Sequence, residues 1–89
     1  MFEVRFSNKA AKFLSKCDNK MKKRLKQLFE KLKQNPVPAK RYDLRKIAGE
    51  EDTYRIRLSS YRAIYCVYWE QRIIRVLKIQ RKKDRTYKL

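Results

Sequence analysis

The sequence predicts an α+β fold in which a first strand and a two-helix hairpin precede an antiparallel sheet of about four strands. Residues 2–6 alternate between apolar and polar side chains, residues 7–34 carry apolar residues at helical spacing, and residues 53–79 contain strand-like runs. Alternation is typical of strands with one buried face, and spacings of three and four are typical of helices with one buried side. We therefore expect both helices to pack on one face of the sheet and to leave the other face open.

Two helices are predicted between residues 7 and 34. Ser7 is a favoured N-cap for a short helix that carries Ala11, Leu14 and Cys17 on one side. Asp18 can cap a second, longer helix, whose lysines form a solvated outer side. The apolar residues that define the buried side of this longer helix are Met21, Leu25, Leu28, Phe29 and Leu32.

Strands are predicted for most of the remaining chain. The segment Asn35-Pro36-Val37-Pro38 ends the second helix, because proline cannot continue a helix and disfavours helix in the residue before it. A connector over residues 39–52 contains the only glycine. The gaps between the strand-like runs are short enough for hairpin turns, and we expect residues 1–89 to form a single domain. The three runs are 53–58, 61–70 and 72–79.

Positive charge is the dominant compositional feature. Lys and Arg total 26 against 9 Asp and Glu, which gives a formal net charge of +17. Like-charge repulsion on this scale destabilises a compact chain, and a polyanionic partner usually offsets it. Net charge alone leaves RNA, DNA and an acidic protein open as that partner.

Several classes of protein are not favoured by the composition. The chain has no apolar segment near the ~20 residues of a membrane-spanning helix, and its N-terminal residues lack the apolar core of a signal peptide. We therefore expect a cytoplasmic protein without a membrane partner, in which Cys17 and Cys66 are free, buried thiols. The absence of histidine, with acids that are few and scattered, predicts no metal site and no cofactor.

Arginines and tyrosines recur along the predicted strands. Alternation in residues 53–58 places Arg55 and Arg57 on the face away from the apolar side chains, and Arg62 follows the next turn. Guanidinium groups bind phosphate oxygens, and tyrosine rings stack on unpaired bases. The pattern indicates a surface for single-stranded nucleic acid, unless the arginines only solvate an open sheet face. Other basic residues expected near this surface are Arg45, Lys46, Arg72, Arg75, Arg81, Lys82, Lys83 and Arg85.

An ordered set of motifs runs from the connector to the chain end. Its members are Leu44, Tyr54-Arg55-Ile56-Arg57-Leu58, Tyr61-Arg62-Ala63-Ile64-Tyr65, Val76-Leu77-Lys78-Ile79, Arg81 and Tyr87. This set resembles the RelE/ParE toxin superfamily, and a strand and helical hairpin before it extend the resemblance over nearly the whole chain. The resemblance implies an archaeal-like RelE toxin, an endoribonuclease that cuts messenger RNA in the ribosomal A site.

The resemblance also implies roles for single residues. RelE-like enzymes use an arginine after the hairpin turn, an arginine at the exit of the last strand and a tyrosine near the chain end. These roles fall on Arg62, Arg81 and Tyr87. The basic pair on the earlier strand is commonly lysine in such enzymes and is Arg55 and Arg57 here. Because arginine stays protonated in proteins, this pair can stabilise negative charge but cannot act as a base.

The implied reaction is attack of a ribose 2′-OH on the neighbouring phosphate. Without histidine, arginines supply the charge stabilisation, which is usually the largest catalytic contribution. Tyr87 is a candidate base or a stacking platform, Lys82 and Lys83 are alternative bases, and the sequence leaves the choice open. The residues expected to bind RNA are Arg45, Lys46, Arg75, Lys82, Lys83 and Arg85.

The resemblance implies three partners: mRNA, the ribosomal A site with its 16S rRNA, and a RelB-like antitoxin that wraps the toxin. Such an antitoxin should be acidic where it meets the basic surface and partly disordered when free. Two alternatives remain open. One is a gyrase-poisoning toxin of the ParE type on the same fold, and the other is a non-catalytic module that binds RNA or the ribosome.

Overall fold

The fold is α+β, as predicted, and places a two-helix hairpin between the first strand and the strands that follow. The computed structural model describes residues 1–81. The sheet has the strand order β1-β5-β4-β3-β2, in which β1 is parallel to β5 and the other neighbours are antiparallel. The elements of residues 1–81 are β1 (Glu3–Phe6), α1 (Asn8–Lys16), α2 (Asn19–Gln34), β2 (Asp43–Lys46), β3 (Thr53–Leu58), β4 (Tyr61–Tyr68) and β5 (Ile73–Arg81).

The sheet differs from the predicted one in two respects. The described part of the chain has five strands rather than about four, because β2 forms within the predicted connector. β2 is a short, charged edge strand with Leu44 as its one apolar residue, so it shows little alternation in the sequence. The sheet is also mixed, since β1 runs parallel to β5. Alternation identifies a strand but not its partner or direction.

Both predicted helix N-caps are confirmed. The Ser7 Oγ accepts a hydrogen bond from the Ala10 N–H at 3.1 Å, and an Asp18 carboxylate oxygen accepts one from the Met21 N–H at 2.8 Å. The Ser7 hydroxyl also donates to the Leu77 carbonyl at 2.7 Å. This second bond ties the start of α1 to β5 just beyond the segment that pairs with β1.

The core lies between the helices and one face of the sheet. The five apolar residues predicted for the buried side of α2 are all buried. In α1 the prediction of Ala11 is wrong, because Ala10 is buried and Ala11 is exposed. Each residue turns the helix by ~100°, so the side that contains Ala10, Phe13, Leu14 and Cys17 faces the core and Ala11 points away. The sheet contributes Ile56, Ala63, Tyr65, Val67, Ile74, Val76 and Ile79 to the core.

Tyr65, in the centre of β4, is fully buried and donates a hydrogen bond of 2.6 Å to the Pro36 carbonyl. Burial raises the pKa of its hydroxyl, which stays protonated and available as a donor. The bond joins the middle of the sheet to the segment that follows α2. It therefore fixes where the helical hairpin ends over the sheet.

Cys17 and Cys66 are both free thiols, as predicted, although each is half-buried rather than buried. Desolvation, assisted by the neighbouring Asp18 carboxylate, raises the pKa of the Cys17 thiol and disfavours its thiolate. Within residues 1–81, no group of three or more His, Cys, Asp or Glu side chains is placed to hold a metal ion. None of the helices in this range is long and apolar enough to cross a membrane.

The Tyr65 hydrogen bond predicts the effect of removing one oxygen atom. Tyr65→Phe should lower the free energy of unfolding by about 1–2 kcal/mol, because the buried Pro36 carbonyl loses its partner. Tyr54→Phe is the matched control, since its ring packs 5.8 Å from that of Tyr65 and its hydroxyl makes no hydrogen bond within residues 1–81. Urea unfolding measures both variants. Equal stability of Tyr65→Phe and Tyr54→Phe would show that the bond contributes nothing.

Candidate nucleic-acid interface

The open face, the side of the sheet turned away from the helices, is strongly basic. Strand alternation and the pairing register assign each residue to one of the two faces. The acidic residues of this face within the described strands are Glu3 and Asp43. Its basic residues are Arg5, Arg45, Arg55, Arg57, Arg62, Arg75 and Lys78.

In three of the sheet's pairs of adjacent strands, an arginine of one strand lies directly opposite an arginine of the other. Like charges in such positions destabilise a sheet by roughly 0.2–1 kcal/mol per pair. An anion held between two guanidinium groups removes this repulsion and gains charge-assisted hydrogen bonds. The open face therefore has spaced positions at which phosphate groups are favoured. The pairs are Arg5 with Arg75, Arg45 with Arg55, and Arg57 with Arg62.

Asp43 only partly neutralises its neighbours. Its carboxylate oxygens lie 3.8 Å from the Arg55 Nη2 and 3.5 Å from the Arg57 Nε, both longer than a good hydrogen bond. With side chains this accessible, the contacts contribute at most about 1 kcal/mol. The Arg55 Nε is buried and lacks a hydrogen-bond partner in residues 1–81. A buried donor normally has an acceptor, and this Nε would reach a phosphate oxygen only after the Arg55 side chain moves.

Arg62 and Arg81 both line a groove at one end of the sheet. Arg62 pairs with Gln80 and lies on the open face, whereas Arg81 pairs with Tyr61 and points to the helix face. The sequence predicts one surface for both arginines. They instead approach the same groove from opposite faces. This arginine groove has a volume of about 490 Å³ and is lined by Phe13, Arg62, Ile79, Gln80 and Arg81.

Aromatic rings position Arg81. Its guanidinium carbon lies 5.9 Å from the centroid of the Tyr61 ring, which packs edge-on against Phe13 at 5.8 Å. A contact of this kind contributes about 0.5–1 kcal/mol at an exposed site and restricts the long side chain. A second concavity of about 450 Å³ adjoins the groove, shares Phe13 and Arg81 with it, and also contains Asp18. Arg81 therefore stands between two concavities that have aromatic walls.

Other predicted site residues have different positions. Arg45 and Arg75 lie on the open face, whereas Lys46 pairs with Tyr54 and points to the helix side. Arg72 lies in the turn after β4, and its guanidinium carbon is 6.0 Å from the Phe2 ring centroid. The remaining predicted residues lie outside the described range: Lys82, Lys83, Arg85 and Tyr87.

Two basic residues of the open face, Arg5 and Lys78, were not among the predicted site residues. Strict alternation from Arg75 would place Lys78 on the buried side. Lys78 reaches the open face because the register of β4 with β5 shifts between Ile64 and Tyr65, where β5 has one extra residue, Leu77. Alternation in residues 2–6 places Arg5 on the polar side of its strand, but it does not indicate which strand lies beside it. Arg5 reaches the open face beside Arg75 only because β1 pairs with β5, and no local pattern specifies that pairing.

Comparison with known proteins identifies the class to which this fold and basic face belong. A family model described as the ParE toxin of the type II toxin–antitoxin system parDE matches residues 4–85. The chain belongs to this family, within the RelE/ParE superfamily of toxins.

Particular relatives carry the RelE name. A Methanocaldococcus jannaschii protein named RelE1 is 34% identical over 82 residues, which cover 92% of this chain and 91% of that protein. The toxin fold of the archaeal RelE–RelB complex from Pyrococcus horikoshii OT3 matches with a TM-score of 0.82 and 30% identity, over 91% of this chain and 94% of that one. A chain of the intact E. coli RelBE toxin–antitoxin complex matches with a TM-score of 0.78 and 25% identity, and the match covers 96% of this chain and 100% of that one.

The opposed arginines predict that removing one of them stabilises the free protein. Arg62→Gln should raise the free energy of unfolding by roughly 0.2–1 kcal/mol at low salt, because it ends the repulsion with Arg57. High salt should shrink the gain, since ions screen exposed charges. Denaturant unfolding at two salt concentrations tests this. Arg41→Gln, an exposed loop change with the same loss of charge, should have little effect. A destabilised Arg62→Gln at low salt would contradict the prediction.

Proposed function

We propose that the protein is a ribosome-dependent endoribonuclease toxin that cuts mRNA in the ribosomal A site and thereby inhibits translation. One observation carries the proposal: Arg62 and Arg81 line a single groove although they leave the sheet on opposite faces. β5 ends at this groove and leads into residues 82–89, which contain Tyr87. A phosphate between the two guanidinium groups would be held from two sides.

In the proposed reaction, a ribose 2′-oxygen attacks the adjacent phosphorus and the bond to the 5′-oxygen breaks. The products are a 2′,3′-cyclic phosphate and a 5′-hydroxyl. Arg62 and Arg81 stabilise the negative charge that develops on the phosphate oxygens, where preorganised donors have their largest effect. Arg55 and Arg57 bind neighbouring phosphates and hold the RNA for in-line attack.

The proton must leave the 2′-oxygen and one must reach the 5′-oxygen. Arginines cannot accept the first proton, because the guanidinium group stays protonated. We assign the base to the chain end, where Tyr87, Lys82 and Lys83 are the candidates. A water molecule gives the second proton to the leaving 5′-oxygen, and the Arg81 guanidinium stabilises the charge on that oxygen until the proton arrives. Guanidinium groups carry all of the charge stabilisation, so the proposed reaction uses no metal ion.

The ribosome supplies the substrate geometry in this proposal. Guanidinium groups on an open sheet bind phosphates without regard to sequence, and such contacts position RNA rather than specify it. An A site that holds three nucleotides of mRNA in a fixed conformation would select which phosphate is cut, which contacts of the open face with phosphates cannot do. The proposed site of action is therefore the cytoplasm.

The proposed protein partner is a RelB-like antitoxin. Solved relatives are named as RelE–RelB and RelBE complexes. A formal net charge of +17 favours a partner that is acidic where it covers the open face or the arginine groove. An antitoxin that covers either surface would block RNA binding and so inhibit the toxin.

Gyrase poisoning is the second candidate function. The observation that favours it is the matching family model, which is described as a ParE toxin. A supercoiling assay with purified gyrase separates the two functions. Gyrase-dependent DNA breaks without mRNA cleavage would replace the proposed function with this one.

The proposed function predicts the effect of removing the two groove arginines. Arg62→Ala/Arg81→Ala should slow mRNA cleavage at least about 100-fold, because each arginine stabilises charge in the transition state. Primer extension on an mRNA in a reconstituted translation reaction measures the cut sites and their rate. Arg24→Ala, on the exposed outer side of α2, is the control and should cut as fast as wild type.

Discrete cuts at A-site codons with wild type, lost in the double variant, are the expected result. Cleavage by the double variant at the wild-type rate would remove both residues from the mechanism. Intact mRNA with the wild-type protein would contradict nuclease activity and leave gyrase poisoning or RNA binding without cleavage.

A further inference from the structure

A basic concavity distinct from the two beside Arg81 lies at the other end of the open face. It has a volume of about 290 Å³ and opens between β1, β5 and the end of β4. Its residues bring two guanidinium groups next to an aromatic ring, and no step of the proposed cleavage uses them. The lining residues are Arg5, Phe6, Tyr68, Ile73 and Arg75.

The two arginines of this concavity differ in their partners. Arg5 contacts both carboxylate oxygens of Glu3, with its Nε at 3.2 Å and its Nη2 at 3.3 Å. Arg75 lies directly opposite Arg5, is exposed, and forms no ion pair with any acid in residues 1–81. Arg75 thus presents a guanidinium without an ion-pair partner in residues 1–81 beside a like charge. An anion bound here would reduce the repulsion between Arg75 and Arg5 and would accept charge-assisted hydrogen bonds.

Tyr68 supplies the aromatic surface. It pairs with Ile73 at the end of β4, and 43% of its surface is exposed. Its neighbour Trp69 packs against Phe2 and donates to Asp52, whereas the Tyr68 ring has no aromatic partner and no hydrogen bond in the described residues. An exposed ring beside a free guanidinium is the usual platform for an unpaired base followed by its phosphate.

Distance separates this concavity from the arginine groove. Tyr68 and Arg62 are on the same face of β4, six residues apart, which corresponds to ~20 Å along a strand. One nucleotide cannot occupy both places. Between them, β4 presents half-buried Ile64 and Cys66 on the open face, and the basic residues beside Ile64 are Arg55 on β3 and Lys78 on β5.

We propose that Tyr68 and Arg75 form a second RNA contact, which stacks one unpaired base on the Tyr68 ring and binds its phosphate through Arg75. Arg5 lies beside that phosphate, and Glu3 limits the charge that Arg5 contributes. The inference rests on the proposed function only in taking RNA as the polyanion. The nucleotide belongs either to the mRNA beyond the cut site or to the ribosomal RNA, and the chemistry of recognition is the same.

Binding of a single-stranded RNA whose 2′-hydroxyls are methylated tests the contact without cleavage. Tyr68→Leu should weaken binding about 5- to 150-fold, because a base loses its stacking platform, while Tyr68→Phe keeps the ring and should bind as wild type does. Arg75→Gln should weaken binding and reduce the slope of log affinity against log salt by about 0.7. Arg24→Gln, which removes the same charge on the outer side of α2, should leave the slope unchanged.

A parallel measurement of the same variants on ribosomes identifies the source of the nucleotide. Weaker binding of the variants to the free oligonucleotide supports the contact. On ribosomes, a loss that depends on mRNA in the A site assigns the contact to mRNA, and a loss that is as large without mRNA assigns it to ribosomal RNA. Tyr68→Leu and Arg75→Gln that match Arg24→Gln in both assays would overturn the proposal. Intact mRNA with wild type, together with RNA binding that needs Tyr68 and Arg75, would refute the nuclease activity and retain this contact.

Discussion

Burial of only one face of the sheet is the constraint on which the rest of the molecule depends. The apolar sides of α1 and α2 meet the apolar face of the sheet, and the Tyr65 hydrogen bond to Pro36 fixes the end of the helical hairpin over it. The core then includes nothing from the other face, which must be solvated or bind a partner. Because strand residues alternate, the same segments that supply the core also project arginines in the opposite direction.

The open face has too much like charge to be explained by solubility alone. Alternating lysine with glutamate would solvate a sheet equally well, whereas opposed arginines reduce the stability of the free protein. Asp43 and Glu3 relieve a part of this repulsion at the edges of the sheet. Within residues 1–81, no ion pair involves Arg62, Arg75, Lys78 or Arg81. RNA phosphates, in the proposed function, or the proposed acidic antitoxin would relieve this repulsion.

Local patterns predicted the helices and the α+β class well, because caps and apolar spacing are encoded within one segment. Ser7, Asp18 and the buried side of α2 are examples. Long-range pairing was not encoded in this way. The edge strand β2, the parallel pairing of β1 with β5, and hence the place of Arg5 beside Arg75, depend on contacts between distant segments. The position of Arg81 also depends on strand pairing. The sequence predicted that Arg81 and Arg62 share one surface, but the register of Arg81 with Tyr61 turns its side chain to the helix face.

The most direct test of the central claim, that the open face rather than the helical lysines binds RNA phosphates, compares two charge-matched triple variants. One replaces Arg57, Arg62 and Arg75 by Gln, and the other replaces the exposed α2 residues Lys20, Lys23 and Lys31 by Gln. Affinity for a 2′-O-methylated single-stranded RNA is measured over a range of salt concentrations. The open-face variant should lose about 2 from the slope of log affinity against log salt, and the helix variant should lose almost none. An equal loss in both variants, or a larger one in the helix variant, would contradict the claim.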